Sequence, residues 1–277
     1  EIEDTGSNVK NLKKGQRVSG EGHVTCGHCR YCQNGNAHIC HDVKIIGVDM
    51  DGCFAEYLRM PANNVWLVHD SIPDKYVALF DPLGNAMHTV MAQPVGMKTV
   101  LITGAGAIGL FAVAIAKANG AERVIMLEPN SYKRELAIKA GADFVIDSSD
   151  CDVKKKVVDI TEGNGPDVLL EMSGNPKALR MGLDLLSNGG TASLLGIPER
   201  EVPINVAEEI VFKGITIHGI TGRRMFETWY QCQSFLLREG KSIDPVITHT
   251  VSLDNIEDGF FLMENNMAGK VLVEVGV

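Results

Sequence analysis

"KTVLITGAGAIGLFAVAIAKANGAERVIMLEPN", Lys98 to Asn130, decides the fold. The apolar run Val100–Thr103 ends in glycine, the pattern of a buried strand entering a tight turn. Gly104-Ala-Gly106-Ala-Ile108-Gly109 then has the spacing G-x-G-x-x-G. The first glycine of that spacing allows the turn, the second lets a diphosphate approach the backbone, and the third lets helix and strand pack closely. A helix predicted from Ala107 to about Ala118 aims its amino end at the phosphates. Arg123–Leu127 reads as the second strand, closed by Glu128, nineteen residues beyond Gly109. An acid at that distance hydrogen-bonds the adenosine ribose of NAD and repels the 2′-phosphate of NADP, so NAD is the expected cofactor. Gly104, Gly106, Ile108, Gly109 and Glu128 are thus the expected cofactor-binding residues. Lys133, in "NSYKRELAIKAGA", is either a contact to the adenosine end or a solvated helix charge.

The pattern repeats along the chain. "DFVID", "DVLLEMSG", "GGTASLLGI" and "GITIHGI" read as strands three to six. Six strands with intervening helices predict an α/β fold, the doubly wound Rossmann sheet of order 3-2-1-4-5-6, over residues 85–226. Ligands bind beyond the carboxyl ends of such strands. Leu195, Gly196 and Ile197, after strand five, and Ile220 and Thr221, after strand six, are candidates to flank the nicotinamide, or are simply core. The flanks, 1–84 and 227–277, read as one domain interrupted by the nucleotide unit. Its early part has short β-like runs, "GQRVSG" and "GCFAEYLRMP", and helices near 80–95 and 226–238 would cross between the two units.

Within the first flank, Cys26, Cys29, Cys32 and Cys40 have the spacing C-x2-C-x2-C-x7-C. Short gaps let successive sulfurs converge on one ion, with Gly27 and Gly35 supplying the sharp turns. Four thiolates fill a tetrahedral zinc and leave no open position, so this metal is structural. An iron–sulfur cluster uses similar gaps, but a different last spacing. His28, His38 and His41 are expected to be bystanders.

Composition bounds the rest. Among 277 residues, 45% are apolar and 22% charged, ordinary for a globular protein, and the net charge of −9 disfavours a nucleic-acid partner. Thr99–Ala116 is uncharged, but its glycines argue for strand, turn and buried helix rather than a membrane span. The chain shows no basic-then-apolar leader, and seven cysteines, four of them clustered, suit metal binding in the cytosol.

Taken together, the cysteine lobe, the Rossmann unit and Glu128 resemble the zinc-containing medium-chain alcohol dehydrogenases. "SGEGHVTCGHCRYC", "FDPLGNAMHTV", "LEMSG", "LLGIP" and "GRRMFETWY" resemble segments of the threonine-oxidising members, and the likeness covers nearly the whole chain. The resemblance implies a discontinuous, mostly β, GroES-like catalytic domain beside the Rossmann domain. It also implies NAD-dependent oxidation of L-threonine at C3 to 2-amino-3-oxobutanoate, a catalytic zinc, and a homotetramer. It matches Asp81 to a carboxylate beside the catalytic zinc and His23 to a histidine near the substrate pocket, with His88 one turn beyond Asp81. Read without the family, Asp81 is a helix N-cap before Pro82, and His23 a hydrogen-bonded structural histidine.

The family's catalytic zinc is held by an early Cys in a Cys-Gly-Thr-Asp-like stretch and by a Gly-His-Glu stretch. Neither occurs here, and "EIEDTGSNVKNLKKGQRV" resembles the text just after the Gly-His-Glu. The expectation is a catalytic domain incomplete at its N-terminus, roughly 60–70 residues short, with little turnover. Alternatives are a polyol or 2,3-butanediol dehydrogenase of the same family, a catalytically dead NAD-binding protein, and a zinc-ribbon module, which would need a basic face.

Overall fold

The computed structural model describes residues 1–276. Its first part is built from short strands, β1 (Val18–Gly20), β2 (His23–Val24), β3 (Lys44–Ile45) and β4 (Val65–Leu67). β1 pairs antiparallel with β4, and β2 with β3. Between β2 and β3 lie the single-turn helix α1 (Arg30–Gln33) and a 3-10 turn, Ala37–Ile39. The β-like run "GCFAEYLRMP" forms no strand. Its aromatic residues Phe54 and Tyr57 stand exposed, and no neighbouring strand offers them a ladder. Two helices follow, α2 (Asp74–Val77) and α3 (Phe80–Met91).

The central unit then alternates strand and helix. Its elements are β5 (Thr99–Thr103), α4 (Ala107–Ala118), β6 (Arg123–Leu127), α5 (Ser131–Lys139), β7 (Phe144–Ile146), α6 (Val153–Ile160), β8 (Val168–Glu171), α7 (Pro176–Leu185), β9 (Thr191–Leu194) and β10 (Thr216–Gly219). The strands are parallel, in the order β10-β9-β8-β5-β6-β7. This is the doubly wound order, with its reversal between β5 and β8.

Strand periodicity separates two cores. Val100 and Ile102 of β5, Val124 and Met126 of β6, and Val168 and Leu170 of β8 face α4. Their neighbours Leu101, Ile125 and Leu169 face α6 and α7. α4 is apolar nearly all round because α3 covers the side turned from the sheet. Local signals start two of the other helices. The Asn130 side chain accepts the Lys133 N–H at the head of α5. Asn175 accepts from Lys177 and Ala178 ahead of Pro176 in α7.

α8 (Glu227–Glu239) returns along the first region, followed by β11 (Ile247–Ser252), α9 (Ile256–Glu264) and β12 (Lys270–Glu274), with β11 and β12 parallel. Trp229 of α8 stacks on Phe80 of α3 at 5.1 Å, and Trp66 of β4 packs against Phe226, Trp229 and Tyr230. One aromatic cluster thus joins the early strands to the late helix. Cys232 of α8 is fully buried in the same core. Among the described residues no helix is long and apolar enough to cross a membrane.

Candidate cofactor site and metal centre

The four cysteine sulfurs converge. Sγ–Sγ separations are 4.0 Å for Cys26–Cys32, 3.5 Å for Cys29–Cys32, 3.8 Å for Cys29–Cys40 and 3.6 Å for Cys26–Cys40. A tetrahedron with Zn–S bonds near 2.3 Å has edges of about 3.8 Å, so the residues fit a structural zinc. Gly27 and Gly35 take left-handed φ of 75° and 83°. Backbone N–H groups of Cys26 and Asp42 point at the Cys40 sulfur, and that of Cys29 at Cys26, which suits thiolates. The Cys32 N–H helps to draw the Cys29 thiol down to about 6. His28 bonds the Cys26 carbonyl, His41 meets Tyr31 edge-on, and His38 turns away to meet His88 at 5.4 Å. None of the three joins the cluster.

The glycine turn sits at the carboxyl end of β5, beside the sheet's reversal point. Gly104 has φ 89°, and a Cβ there would lie 2.8 Å from the Ser173 Cβ. A Cβ on Gly109 would lie 2.0 Å from the Gly104 carbonyl oxygen, so the helix can approach the turn only without a side chain. A Cβ on Gly106 meets nothing within 4 Å, leaving an open cradle at the amino end of α4. That cradle fits a diphosphate. Ile108 packs partly buried against the core. Glu128 is buried at the end of β6. One of its oxygens accepts the Ala105 N–H at 2.7 Å and the other the Asn130 N–H at 2.9 Å, so the acid fastens the turn itself. Each oxygen keeps a lone pair for a ribose hydroxyl. The Lys133 ammonium donates to Asn266 at 2.5 Å, on the same rim of the sheet.

Beyond the turn, Leu195 and Gly196 are half-buried and Ile197 is exposed. The Ile220 N–H extends the ladder to Leu194, and Thr221 is exposed. Ile220, His88, His218 and Arg224 share a cavity of about 270 Å³. His88 Nδ1 donates to the Gly222 carbonyl, 3.0 Å away, while burial pushes the His38 imidazole down to about 4.

Asp81 corrects the sequence reading. It is the second residue of α3 rather than its cap, and makes no capping bond. Its carboxylate instead pairs with Arg223 at 2.7 Å. Arg223 is buried and also clasps Glu21 through Nε, at 2.9 Å, and Nη2. Glu21 is fully buried and further accepts from the Trp229 indole at 2.8 Å and from the His23 backbone N–H. His23 Nδ1 lies 2.9 Å from the same carboxylate. Burial pushes the Asp81 carboxyl up, against the pull of Arg223, with the Glu21 charge adding to the rise. Sequence reasoning assigned no role to Glu21 or Arg223. The available signals were an acid two residues before His23 and an arginine just past the end of strand six, where ligands bind.

The family's second, catalytic zinc finds no such fit. It requires three protein ligands and an open position. Among the described residues only the four cysteines form a cluster of three or more metal-ligating side chains.

Profiles of two families match the chain: the zinc-binding dehydrogenases over residues 107–238 and the alcohol dehydrogenase GroES-like domain over residues 1–70. The L-threonine 3-dehydrogenase of Pyrococcus abyssi is 49% identical over 98% of this chain and 78% of its own length. That of Bacillus licheniformis is 44% identical over 99% of this chain and 79% of its own. Among solved structures, an alcohol dehydrogenase of Thermotoga maritima is 29% identical with a TM-score of 0.89, over 96% of this chain and 77% of that one. The galactitol-1-phosphate dehydrogenase of Escherichia coli is 27% identical with a TM-score of 0.90, over 98% and 81%.

Proposed function

The chain belongs to the zinc-binding dehydrogenase family, and on that footing we propose that its site serves the NAD-dependent oxidation of L-threonine at C3 to 2-amino-3-oxobutanoate. The observation that carries the reading is the open glycine turn at the sheet's reversal point, with Glu128 against it. The substrate rests on identities of 44–49% to L-threonine 3-dehydrogenases over 98–99% of the chain. A polyol or 2,3-butanediol dehydrogenase is not favoured by these relatives.

In this reading NAD supplies the hydride acceptor. The Gly104–Gly109 backbone and the amino end of α4 hold the diphosphate, with Ile108 packing beneath. Glu128 holds the ribose, and Lys133 stands toward the adenosine. Leu195, Gly196 and Ile197 after β9 and Ile220 and Thr221 after β10 would flank the nicotinamide. His23 Nδ1 donates to Glu21, so Nε2 is left as a proton acceptor beside Gly222. Asp81, half-exposed at the mouth of the Arg223 pair, is the second group able to take a proton there. The structural zinc of Cys26, Cys29, Cys32 and Cys40 orders the lobe between β2 and β3. The described residues supply no ligand set for a catalytic zinc.

Nucleotide titration followed by substrate addition tests this. NAD+ and NADH should bind. L-threonine, but not sorbitol or 2,3-butanediol, should tighten nucleotide binding, and turnover should be slow even with added zinc. Failure to bind either nucleotide, or a response to sorbitol alone, overturns the reading. The same resemblance supports a cytosolic homotetramer acting on a small molecule, which sedimentation addresses.

A further inference from the structure

Glu171, the last residue of β8, is fully buried and lies outside every role given above. It stands beside Thr103 across the sheet's reversal, in the row Leu127–Thr103–Glu171–Leu194–Gly219 along the carboxyl edge. Every contact to its carboxylate donates. The Thr103 hydroxyl lies at 3.2 Å, the Ser173 N–H at 2.9 Å, and the Gly174 N–H at 3.1 and 3.3 Å from its two oxygens; the Ser173 hydroxyl completes the set. Its backbone carbonyl accepts from Leu195 at 3.0 Å and Gly196 at 3.1 Å. Unlike Glu21, it has no Arg or Lys partner among the described residues.

These bonds tie together three loops. Ser173 packs under Gly104 of the diphosphate turn. Gly174 packs under Ile197, where a Cβ would lie 2.7 Å from the Ile197 carbonyl oxygen. A Cβ on Gly196 would lie 2.4 Å from the Glu171 carboxylate and 2.1 Å from the Gly174 nitrogen. The carboxylate is therefore wedged between the loops that follow β8 and β9. These donors solvate the carboxylate, but none of them carries a positive charge, so its charge stays without a counter-ion in a buried place. A cationic ligand ring lying over the same edge would supply the missing counter-charge.

We propose that Glu171 is a positioning residue for the nicotinamide end of the cofactor, and that its uncompensated charge favours the oxidised, cationic ring over the reduced, neutral one. The inference rests on the NAD reading above. The charge would discriminate between the two redox states in a way that hydrogen bonds to a neutral residue would not.

The test is titration of NAD+ and NADH into the full chain and two variants. Glu171→Gln removes the charge and keeps the size. It should weaken NAD+ about tenfold more than NADH, the scale of a partly screened charge pair. Glu171→Asp keeps the charge but shortens its reach. It should weaken both forms while leaving their ratio within about twofold of wild type. Equal weakening by the Gln variant, or no change in either affinity, overturns the proposal. If the Gln variant does not fold, the Asp variant decides alone: both affinities reduced at constant ratio support the proposal, and a ratio moved about tenfold overturns it. Wild-type protein that binds neither nucleotide would overturn the NAD reading and this inference with it. Wild-type binding with an unresponsive Glu171 overturns only the latter.

Discussion

Gly106 and Gly109 stand in one turn, yet the same substitution should affect them in opposite ways. A Cβ on Gly109 collides with the Gly104 carbonyl, whereas a Cβ on Gly106 meets no protein atom. Gly109→Ala should therefore lower the unfolding midpoint. Gly106→Ala should change stability by less than about 1 kcal/mol, because Gly106 already has a φ of −66° that alanine can adopt. It should nevertheless weaken NAD+ at least about tenfold, since the methyl occupies the diphosphate's place. Calorimetric titration beside a thermal melt separates the two effects. Both glycines were legible in the sequence because a close approach leaves no alternative residue. Asp81 was not, because Asp before Pro suits a helix cap, and what captures its carboxylate is Arg223, remote in sequence. Glu21 was hidden for the same reason, its guanidinium partner lying 202 residues away. Local pattern carries no information about such pairs.

Among the elements, β5, β6 and β8 declared themselves because each side chain must face one of two cores, so each strand reads as a nearly unbroken apolar run. The run at 52–61 has similar β-prone residues but no partner strand, and it stays irregular. Propensity without a ladder does not make a strand. The cysteine lobe is the opposite case. It has almost no apolar core of its own, Cys40 and His38 being its only buried residues between Thr25 and Asp42, so the metal must do the folding there. Metal analysis should find one zinc per chain. Chelation, or Cys40→Ser, should release it and open residues 25–42 to proteolysis. The sheet has its own cores, so NAD+ affinity should stay within about threefold. Loss of nucleotide binding together with the zinc would show instead that the lobe and sheet fold as one unit.

At the scale of the whole molecule, Arg223 and the aromatic cluster join the early strands to α3 and α8. Arg223→Met should cost about 3–5 kcal/mol, since it strands a buried carboxylate. The pH dependence should reverse as well. In the native protein burial pushes the Glu21 carboxyl up, but bonds from His23 and the Arg223 charge outweigh it and hold the group below its usual 4.5. Its contribution is thus present above that pH and is lost as pH falls through the lower folded value. Without Arg223, burial prevails and the folded value rises above the unfolded one. The variant's deficit should then be smallest in acid and grow as pH rises. Urea unfolding at about pH 5 and about pH 7.5 reads this difference, and parallel curves for the two proteins would refute it. The placement of Cys232 gives the molecule a built-in clock. Its sulfur is buried in the core cluster that also holds Trp229 and burial pushes the thiol up, while Cys53 and Cys151 are exposed and the remaining four are committed to metal. An alkylating reagent should therefore mark the chain in three waves. The two surface sulfurs react at once and the lobe when zinc is withdrawn. The last reacts only when the helical joint comes apart, so its rate of modification times the parting of the two regions.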